Sequence, residues 1–236
     1  MKNNKSKLIY TAAKEDFYTF VQKSFQTVDN SQEFIRNWHL ELICDKLQQC
    51  ANGKIKRLII NMPPRYLKSF CSSTAFTAWL LGHKPNARII CVSYSEELAN
   101  KFSRDCKKIM QSPFYKQTFN TKLSKDKQTE NFIETTQNGY RYATSTNATL
   151  TGFGGNFIII DDPMKAIDCY SPNKLNKINN WFNNTLISRL NNKKDGVIIL
   201  IMQRLHINDL TGHLLSKADG IPLSYQQLQK KMKNIF

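Results

Sequence analysis

The sequence predicts an α/β protein in which a mostly parallel β-sheet is sandwiched between helices. Three observations support this fold class: strand-like apolar runs, helical patterns between them, and polar clusters where three of the runs end. The runs are KRLIINM, ARIICVSYS, NFIIIDDP and GVIILIMQRLH. Because the runs are almost continuously apolar, the strands are expected to be covered on both faces, as in parallel sheets. Ligands bind such sheets at the carboxyl ends of the strands, where the polar clusters are predicted to lie.

The first half of the chain is predicted to alternate helix and strand. Residues 1–28 are polar and basic, with a weak amphipathic pattern around Phe17, and are predicted to be a partly ordered N-terminal segment. Asn30 and Glu33 form a capping-box pattern, which predicts a helix from there to Gly53. The strand KRLIINM is followed by the helix KSFCSSTAFTAWLLGHKP, and the strand ARIICVSYS by the helix EELANKFSRDCKKIMQ.

The second half begins with a polar stretch. Residues 112–139 are predicted to be irregular, and a short strand is predicted at YRYAT before the strand NFIIIDDP. Ser171 is a good N-cap and Pro172 a good first-turn residue, so a helix is predicted from there through Leu190. The last apolar run is a strand, followed by polar residues and a basic end. The predicted division of the chain is an N-terminal segment, one α/β domain and a basic tail or linker: residues 1–28, 29–216 and 217–236.

The composition indicates a globular protein with a polyanionic partner. The chain has 34 Lys and Arg residues against 18 Asp and Glu, a formal net charge of +16 over 236 residues. This charge favours nucleic acid first and an anionic membrane surface second, with general solubility as the simpler explanation. Six cysteines without C-x-x-C spacing predict buried thiols in a reducing compartment. No apolar run approaches the roughly 20 residues that span a bilayer, so a cytoplasmic location is expected.

The stretch RLIINMPPRYLKSF has the order of a phosphate-binding loop: an apolar strand, a loop, and a helix that begins with Lys68 and Ser69. A standard loop of this kind has glycines where this sequence has Met62 and Leu67. A positive φ angle at Leu67 would cost about 1–2 kcal/mol, so the loop is expected either to be strained or to follow another path. From these residues alone, a phosphate site and a plain strand–turn–helix both remain open.

A second polar cluster ends the run FIII. Asp161 and Asp162 have the arrangement of a Walker B strand end, in which Asp161 would hold Mg²⁺ through water and Asp162 would orient or deprotonate the attacking water. The structural alternative is an aspartate turn before Pro163. Adjacent carboxylates repel each other unless a cation or a strong donor is close, which favours a metal. Together with Lys68 and Ser69, the acidic pair makes an NTPase site the leading hypothesis.

Three stretches of the chain carry a resemblance to a known family. They are IINMPPRYLKS, continued by AWLLGHKPNARIICVSYSEELANKFSRD, then TGFGGNFIIIDDPMK, and finally ILIMQRLHINDLTGHLL. In this order and spacing they resemble the ATPase half of the large terminase subunit of tailed bacteriophages and prophages, over residues 38–215. The resemblance implies a P-loop NTPase-like fold, ATP as the substrate, Mg²⁺ as the cofactor, and the packaging of DNA into a capsid.

The resemblance also implies roles for particular residues. ATP would be held by the loop after the first strand and by one later residue: Pro64, Arg65, Tyr66, Leu67, Lys68, Ser69 and Gln203. Ser69 and Asp161 would hold Mg²⁺. The catalytic residues would be Asp162, the loop arginine Arg65 near the γ-phosphate, and Arg204.

Two positions depart from the family pattern. Asp162 stands where many motor ATPases carry a glutamate, and because it is one methylene shorter, its carboxylate reaches less far toward the attacking water. The stretch from Gln203 to His206 resembles the coupling motif, in which a polar group senses the γ-phosphate and transmits hydrolysis to DNA movement. Leu205 stands there in place of a tryptophan.

The partners implied by the resemblance are double-stranded DNA, the phage portal protein, the small terminase subunit and further copies of the chain in a ring, in the cytoplasm of a bacterial host. A full large subunit continues into a nuclease domain, whereas this chain ends at Phe236 soon after the coupling motif, so nuclease activity is not expected. The alternative is a truncated prophage remnant that binds DNA or nucleotide without turnover. A helicase or another P-loop translocase would use the same site chemistry, but no helicase motif is present.

Overall fold

The computed structural model describes residues 2–218 and 226–227, with side chains described in 7–126 and 128–217. Within these residues an eight-stranded sheet forms the centre. Its strands are β1 (Arg57–Asn61), β2 (Arg88–Ser93), β3 (Leu123–Gln128), β4 (Phe132–Thr135), β5 (Tyr140–Ser145), β6 (Phe157–Asp161), β7 (Val197–Met202) and β8 (Gln226–Gln227). The α-helices are α1 (Lys2–Glu15), α2 (Phe17–Val28), α3 (Trp38–Ala51), α4 (Phe76–His83), α5 (Glu96–Gln111), α6 (Pro113–Thr118), α7 (Pro172–Trp181) and α8 (Leu210–Ala218).

Shorter helical segments adjoin these elements. A π-helical segment, Phe70–Ala75, leads directly into α4, and another, Phe182–Leu186, continues α7. The 3₁₀ segments are Ala166–Tyr170, which precedes α7, and Ile187–Arg189, which follows it. The helix predicted from Ser171 and Pro172 through Leu190 is therefore confirmed, although its last turns are not α-helical.

The strand order is β3-β4-β5-β2-β6-β7-β1-β8. Among the described strands, β4 alone runs in the opposite direction to the rest and pairs antiparallel with β3 and β5, so the predicted mostly parallel sheet is confirmed. Because β7 lies between β6 and β1, the carboxyl ends of these three strands are adjacent. In the register of the sheet, Asn61 pairs with Met202 and Asp161 with Ile201.

The central strands are buried on both faces because successive residues point to opposite sides. Leu58 and Ile60 belong to one core cluster, with side chains from α1 to α6, whereas Ile59 belongs to the other, with side chains from α7 and α8. The sheet is thus sandwiched between helices, as its apolar runs predict. None of the described helices is both long enough and apolar enough to cross a bilayer.

The N-terminal helices pack on the first of these faces. Phe17 and Phe20 of α2 are fully buried, with the ring of Phe17 centred 5.6 Å from that of Phe76 and the ring of Phe20 6.2 Å from that of Tyr115. The weak amphipathic pattern around Phe17 therefore corresponds to a well-packed helix. Where the N-terminal boundary of the domain lies stays a prediction.

The start of α3 differs from its prediction. The helix begins after Asn37, so the capping-box pattern at Asn30 and Glu33 predicts the start wrongly. The segment before the helix instead places Phe34 against the rings of Tyr18 and Phe25, with centroids 6.1 and 5.5 Å away. These tertiary contacts outweigh the local capping preference.

Residues 112–139 are also more regular than predicted. They contain α6, β3 and β4. Helix α6 begins with Ser112, whose hydroxyl accepts from the N–H of Tyr115 at 3.1 Å, and Pro113 follows in the first turn. This is the same Ser-Pro signal that correctly predicts α7. The strands β3 and β4 lie at one edge of the sheet, where polar side chains are tolerated, so their sequences lack the apolar run that identifies the central strands.

The predicted basic tail, residues 217–236, lies largely outside the described residues. Within it, Gln226 and Gln227 form β8 and pair with Leu58 and Ile59 of β1.

All six cysteines are free and buried, which confirms the prediction of buried thiols without disulfides. Burial raises the pKa of Cys50 to about 12 and that of Cys91 to about 11, because the thiolate loses its hydration in the core. These thiols are therefore un-ionised at neutral pH.

Candidate functional site

The loop after β1 carries two residues in the left-handed region of backbone conformations. The φ angle is 69° at Arg65 and 56° at Leu67, although neither residue is a glycine. Such an angle costs a residue with a Cβ about 1–2 kcal/mol. The side chain of Leu67 packs against the core cluster on the first face of the sheet, and this packing helps to hold the strained conformation. Of the two paths that the sequence leaves open, the structure has the strained one.

The strain at Leu67 leads to a testable order of stabilities. Leu67→Gly is expected to be more stable than Leu67→Ala by about 1 kcal/mol, because both remove the leucine side chain but only glycine is free of strain at positive φ. Urea denaturation of the two variants measures the difference.

The matched control is the same pair of substitutions at Tyr66, an exposed neighbour that is not among the residues with positive φ. There the order is expected to reverse, with alanine the more stable by about 0.5–1 kcal/mol. If alanine were also the more stable residue at position 67, the loop would not have the backbone described here.

The loop leaves several backbone N–H groups available to a ligand. Within the described chain, the amides of Arg65, Tyr66 and Leu67 donate no hydrogen bond, whereas the amide of Cys71 donates to the carbonyl of Leu67 at 2.9 Å as the helix begins. Lys68 stands in the first turn of this helix, where the helix dipole also favours an anion. Free amides and a lysine at a helix start are the elements of an anion-binding loop.

Lys68 and Asp162 form an ion pair across the end of the sheet. The Nζ atom of Lys68 lies 2.8 Å from Oδ2 of Asp162, and the lysine is only 5% exposed. The other carboxylate oxygen of Asp162 accepts from the N–H of Gln203 at 3.2 Å. The ends of β1, β6 and β7 therefore each contribute a group to one cluster.

Asp161 is buried beneath this ion pair, with only 1% of its surface exposed. Its Oδ1 accepts from the hydroxyl of Ser69 at 3.0 Å, and its Oδ2 from the hydroxyl of Ser73 at 2.6 Å. Burial and the neighbouring charge of Asp162 raise the pKa of Asp161 to about 6, although both serine hydrogen bonds and Lys68 oppose the rise. The carboxylate is thus ionised above about pH 6, where it can bind a cation.

The backbone of Asp162 is constrained as well. Its φ angle is 45°, its N–H donates to the carbonyl of Ile201 at 2.8 Å, and its carbonyl accepts from the N–H of Tyr94 at 3.1 Å. These two bonds tie the end of β6 to both neighbouring strands. Left-handed residues that the surrounding structure fixes in this way are concentrated at functional sites.

A buried aspartate organises the residues that follow β7. Asp209 is fully buried, and its Oδ2 accepts from Nε of Arg204 at 3.1 Å and from the N–H groups of Leu205 and His206 at 3.0 and 3.3 Å. The guanidinium of Arg204 therefore stabilises the shape of its own loop in this structure.

The structure brings some of the predicted site residues together and leaves others apart. The residues joined by direct hydrogen bonds or an ion pair at the sheet end are Lys68, Ser69, Asp161, Asp162 and Gln203. Those exposed on the loop, without a hydrogen bond to this group in the described chain, are Pro64, Arg65 and Tyr66. Arg204 lies at the third strand end but is bound to Asp209. The roles of all these residues stay predictions.

Two further residues support the site, although the sequence does not single them out. Ser73 stands four residues after Ser69 on the helix, and this spacing is the signal that would have identified it. Arg141 of β5 is fully buried, and its Nη2 donates to the carbonyl of Ser73 at 3.0 Å. Its Nε and Nη1 have no hydrogen-bond partner within the described chain. An arginine within a strand normally indicates an exposed position, so the sequence carries no signal for this one.

The donor set of the site fits Mg²⁺. The candidate ligands, the hydroxyl of Ser69 and the carboxylate of Asp161, are oxygen donors 3.0 Å apart, and Mg²⁺ prefers oxygen. The described residues hold no cluster of three or more His, Cys, Asp or Glu side chains suited to a metal. A site with few protein ligands is typical of Mg²⁺ bound together with substrate phosphates.

Among solved structures, the crystal structure of the HK97 bacteriophage large terminase is similar to this chain. The TM-score is 0.52 at 13% sequence identity, and the match covers 86% of this chain and 41% of that chain. The chain thus spans less than half the length of that terminase, and at this identity the likeness concerns the fold alone. It is a terminase-like α/β fold. No protein-family model matches the sequence, and no curated protein matches it.

Proposed function

We propose that this chain is the ATPase motor domain of a DNA-packaging terminase, which hydrolyses ATP with Mg²⁺ to drive double-stranded DNA into a capsid. The observation that carries the proposal is the meeting of Lys68 and Ser69, from the loop after β1, with Asp161 and Asp162 at the end of β6. An ammonium, a hydroxyl and two carboxylates are the groups that ATP hydrolysis requires of such a site. The terminase-like fold supports the same conclusion.

In the proposed reaction, Lys68 and the free amides of Arg65, Tyr66 and Leu67 bind the phosphates of ATP. Mg²⁺, when bound, neutralises charge on the β- and γ-phosphate oxygens. Ser69 and Asp161 are the residues that would hold it, Asp161 through water.

Asp162 is the group proposed to orient the attacking water and accept its proton. As water adds to the γ-phosphorus, the bond to the ADP oxygen breaks, and phosphate and ADP leave. To reach water, the carboxylate must exchange its ion pair with Lys68 for the new hydrogen bond. The phosphates of ATP would favour that exchange, because their denser negative charge attracts the ammonium of Lys68 away from Asp162.

The coupling residues and the partners belong to the same proposal. Gln203 donates its backbone N–H to Asp162 and stands at the end of β7, so a change at the acidic pair would reach the loop that Arg204 and Asp209 hold in shape. The formal charge of +16 supports DNA as the polyanionic partner. Packaging also implies a portal protein, a small terminase subunit and a ring of further copies.

Isothermal titration calorimetry with ATP, in Mg²⁺ and in EDTA, together with a phosphate-release assay, tests the proposal. We expect ATP binding that is stronger with Mg²⁺ and slow release of phosphate that duplex DNA stimulates. If ATP failed to bind in either buffer, the proposal would be withdrawn.

A second candidate is nucleotide binding without turnover, as in a prophage remnant. The observation that favours it is the engagement of both Asp162 oxygens, one by Lys68 and the other by Gln203. If Asp162 keeps these contacts with ATP present, no group is left to accept the proton. Binding of Mg²⁺-ATP without phosphate release, with or without DNA, would identify this function.

A further inference from the structure

A cavity of about 900 Å³ lies far from the acidic pair in the sheet order, beside the outermost described strand, β3. Its walls come from the end of α5, from α6, from the loop after α6, and from β3 itself. Met110 and Phe119, each 3% exposed, form an apolar floor with the half-buried Leu123. We refer to this cavity as the lysine cleft.

Four lysines line the cleft: Lys107, Lys116, Lys122 and Lys125. In the described chain none of the four ammonium groups makes a hydrogen bond or an ion pair, and no Asp or Glu lines the cleft. The cleft therefore has a concentrated positive charge that no ion pair within the described chain offsets. Such a field favours an anionic occupant.

The lysine cleft also contains an unused hydrogen-bond acceptor. Gln128 lines it, and the side-chain Nε2 donates to the carbonyl of Glu134 at 2.8 Å, which fixes the orientation of the amide. The Oε1 atom is buried and has no partner in the described chain. A buried acceptor without a partner costs about 1–3 kcal/mol, so an occupant with an N–H group would gain from filling it.

We propose that the lysine cleft binds an acidic peptide segment of a partner protein, with an apolar side chain directed to the floor formed by Met110 and Phe119. Acidic side chains complement the four lysines, and a peptide N–H satisfies Oε1 of Gln128. A DNA backbone would also complement the lysines, but phosphates and sugars of DNA carry no donor for Gln128 and no apolar side chain for the floor. The combination of charge, acceptor and apolar floor therefore favours a peptide over a duplex.

Fluorescence anisotropy with a labelled peptide of sequence DEDLDED tests the proposal at low salt, without nucleotide. We expect the Lys116→Glu, Lys122→Glu double variant to weaken binding at least about tenfold, since each substitution turns an attraction into a repulsion. Both lysines are exposed and without partners, so the fold is expected to be unchanged. The matched control is Lys193→Glu with Lys194→Glu, the same charge change at exposed positions outside the cleft; it should lose much less affinity.

Gln128→Met and a duplex DNA probe separate a peptide site from a nucleic-acid site. Gln128→Met is expected to lower the affinity for the peptide several-fold and to leave the affinity for duplex DNA unchanged. The proposal is overturned if the wild-type protein does not bind the peptide, if both double variants lose equal affinity, or if Gln128→Met leaves peptide binding unchanged. A loss confined to duplex binding would assign the cleft to DNA instead. Because no nucleotide is present, these outcomes are independent of the proposed ATPase activity.

Discussion

Lys68→Ala is expected to lower ATP hydrolysis at least about 100-fold, the scale on which single charge-stabilising groups act in enzyme sites. Lys68 is the buried cation of the cluster, with its ammonium 2.8 Å from Asp162. Alanine leaves the two adjacent carboxylates without this cation and the phosphates without their lysine. Phosphate release at saturating Mg²⁺-ATP measures the effect.

The matched control is Lys56→Ala, which also removes a lysine from an ion pair, with Asp195 at 2.9 Å, but at an exposed position away from the site. Its hydrolysis is expected to equal that of the wild type. Circular dichroism shows whether each variant is folded. Equal turnover in folded Lys68→Ala and in the wild type would remove Lys68 from the mechanism and with it the proposed reaction.

Asp161→Asn is expected to abolish Mg²⁺-dependent hydrolysis and yet to stabilise the metal-free protein above about pH 6. The pKa of Asp161 is raised to about 6 in the folded state by burial and by Asp162, from an ordinary value of 3.8. Between these two values the unfolded chain has released the proton while the folded chain still holds it. The contribution of Asp161 to the free energy of unfolding therefore falls as the pH rises from 4 to 6, by up to about 3 kcal/mol, and is level above that range.

Asparagine has no proton to release, so the stability of Asp161→Asn relative to the wild type should rise over the same pH range. Urea denaturation at several pH values in EDTA measures this difference. Asp195→Asn is a suitable control, because hydrogen bonding to Lys56 lowers the pKa of that exposed carboxyl below its ordinary value of 3.8. The stability of this variant relative to the wild type should be nearly level from pH 5 to 6 and should fall as the pH rises through the acid range below about pH 4. A pH-independent difference for Asp161→Asn would mean that the carboxyl titrates normally.

The sequence predicts the central part of the fold well because a short, continuous apolar run must be buried on both faces, as in a central strand of a parallel sheet. The runs at β1, β2, β6 and β7 are strands buried on both faces, and the Ser-Pro signal at Ser171 marks a helix start. The edge of the sheet is harder to predict, since β3 and β4 are polar and their pairing depends on neighbours distant in sequence. At Asn30, a local capping pattern predicts a helix start that the structure does not have, because Phe34 packs against two aromatic rings instead. Those rings belong to a different part of the chain, so no local pattern reveals the contact.

The candidate site divides in a similar way. Lys68, Ser69 and the acidic pair can be proposed from the sequence because each follows an apolar run, and parallel strands bring their carboxyl ends together. Ser73 and Asp209 escape notice because serines and aspartates are common near helix starts. Arg141 escapes notice because its burial depends on how a whole face of the sheet packs. The local stretch YRYAT carries no signal of that packing.

The buried cysteines give the chain an internal set of reporters. A thiol reagent is expected to reach Cys91 of β2 only when the sheet opens, whereas Cys169 lies in the 3₁₀ segment before α7, where a smaller opening is expected to expose it. Cys71 lies two residues after Ser69 and is buried in the core cluster on the first face of the sheet, so its labelling rate is expected to report the opening of the helix that follows the loop. Comparing these rates with and without Mg²⁺-ATP would show which part of the molecule a ligand makes rigid, with no engineered label.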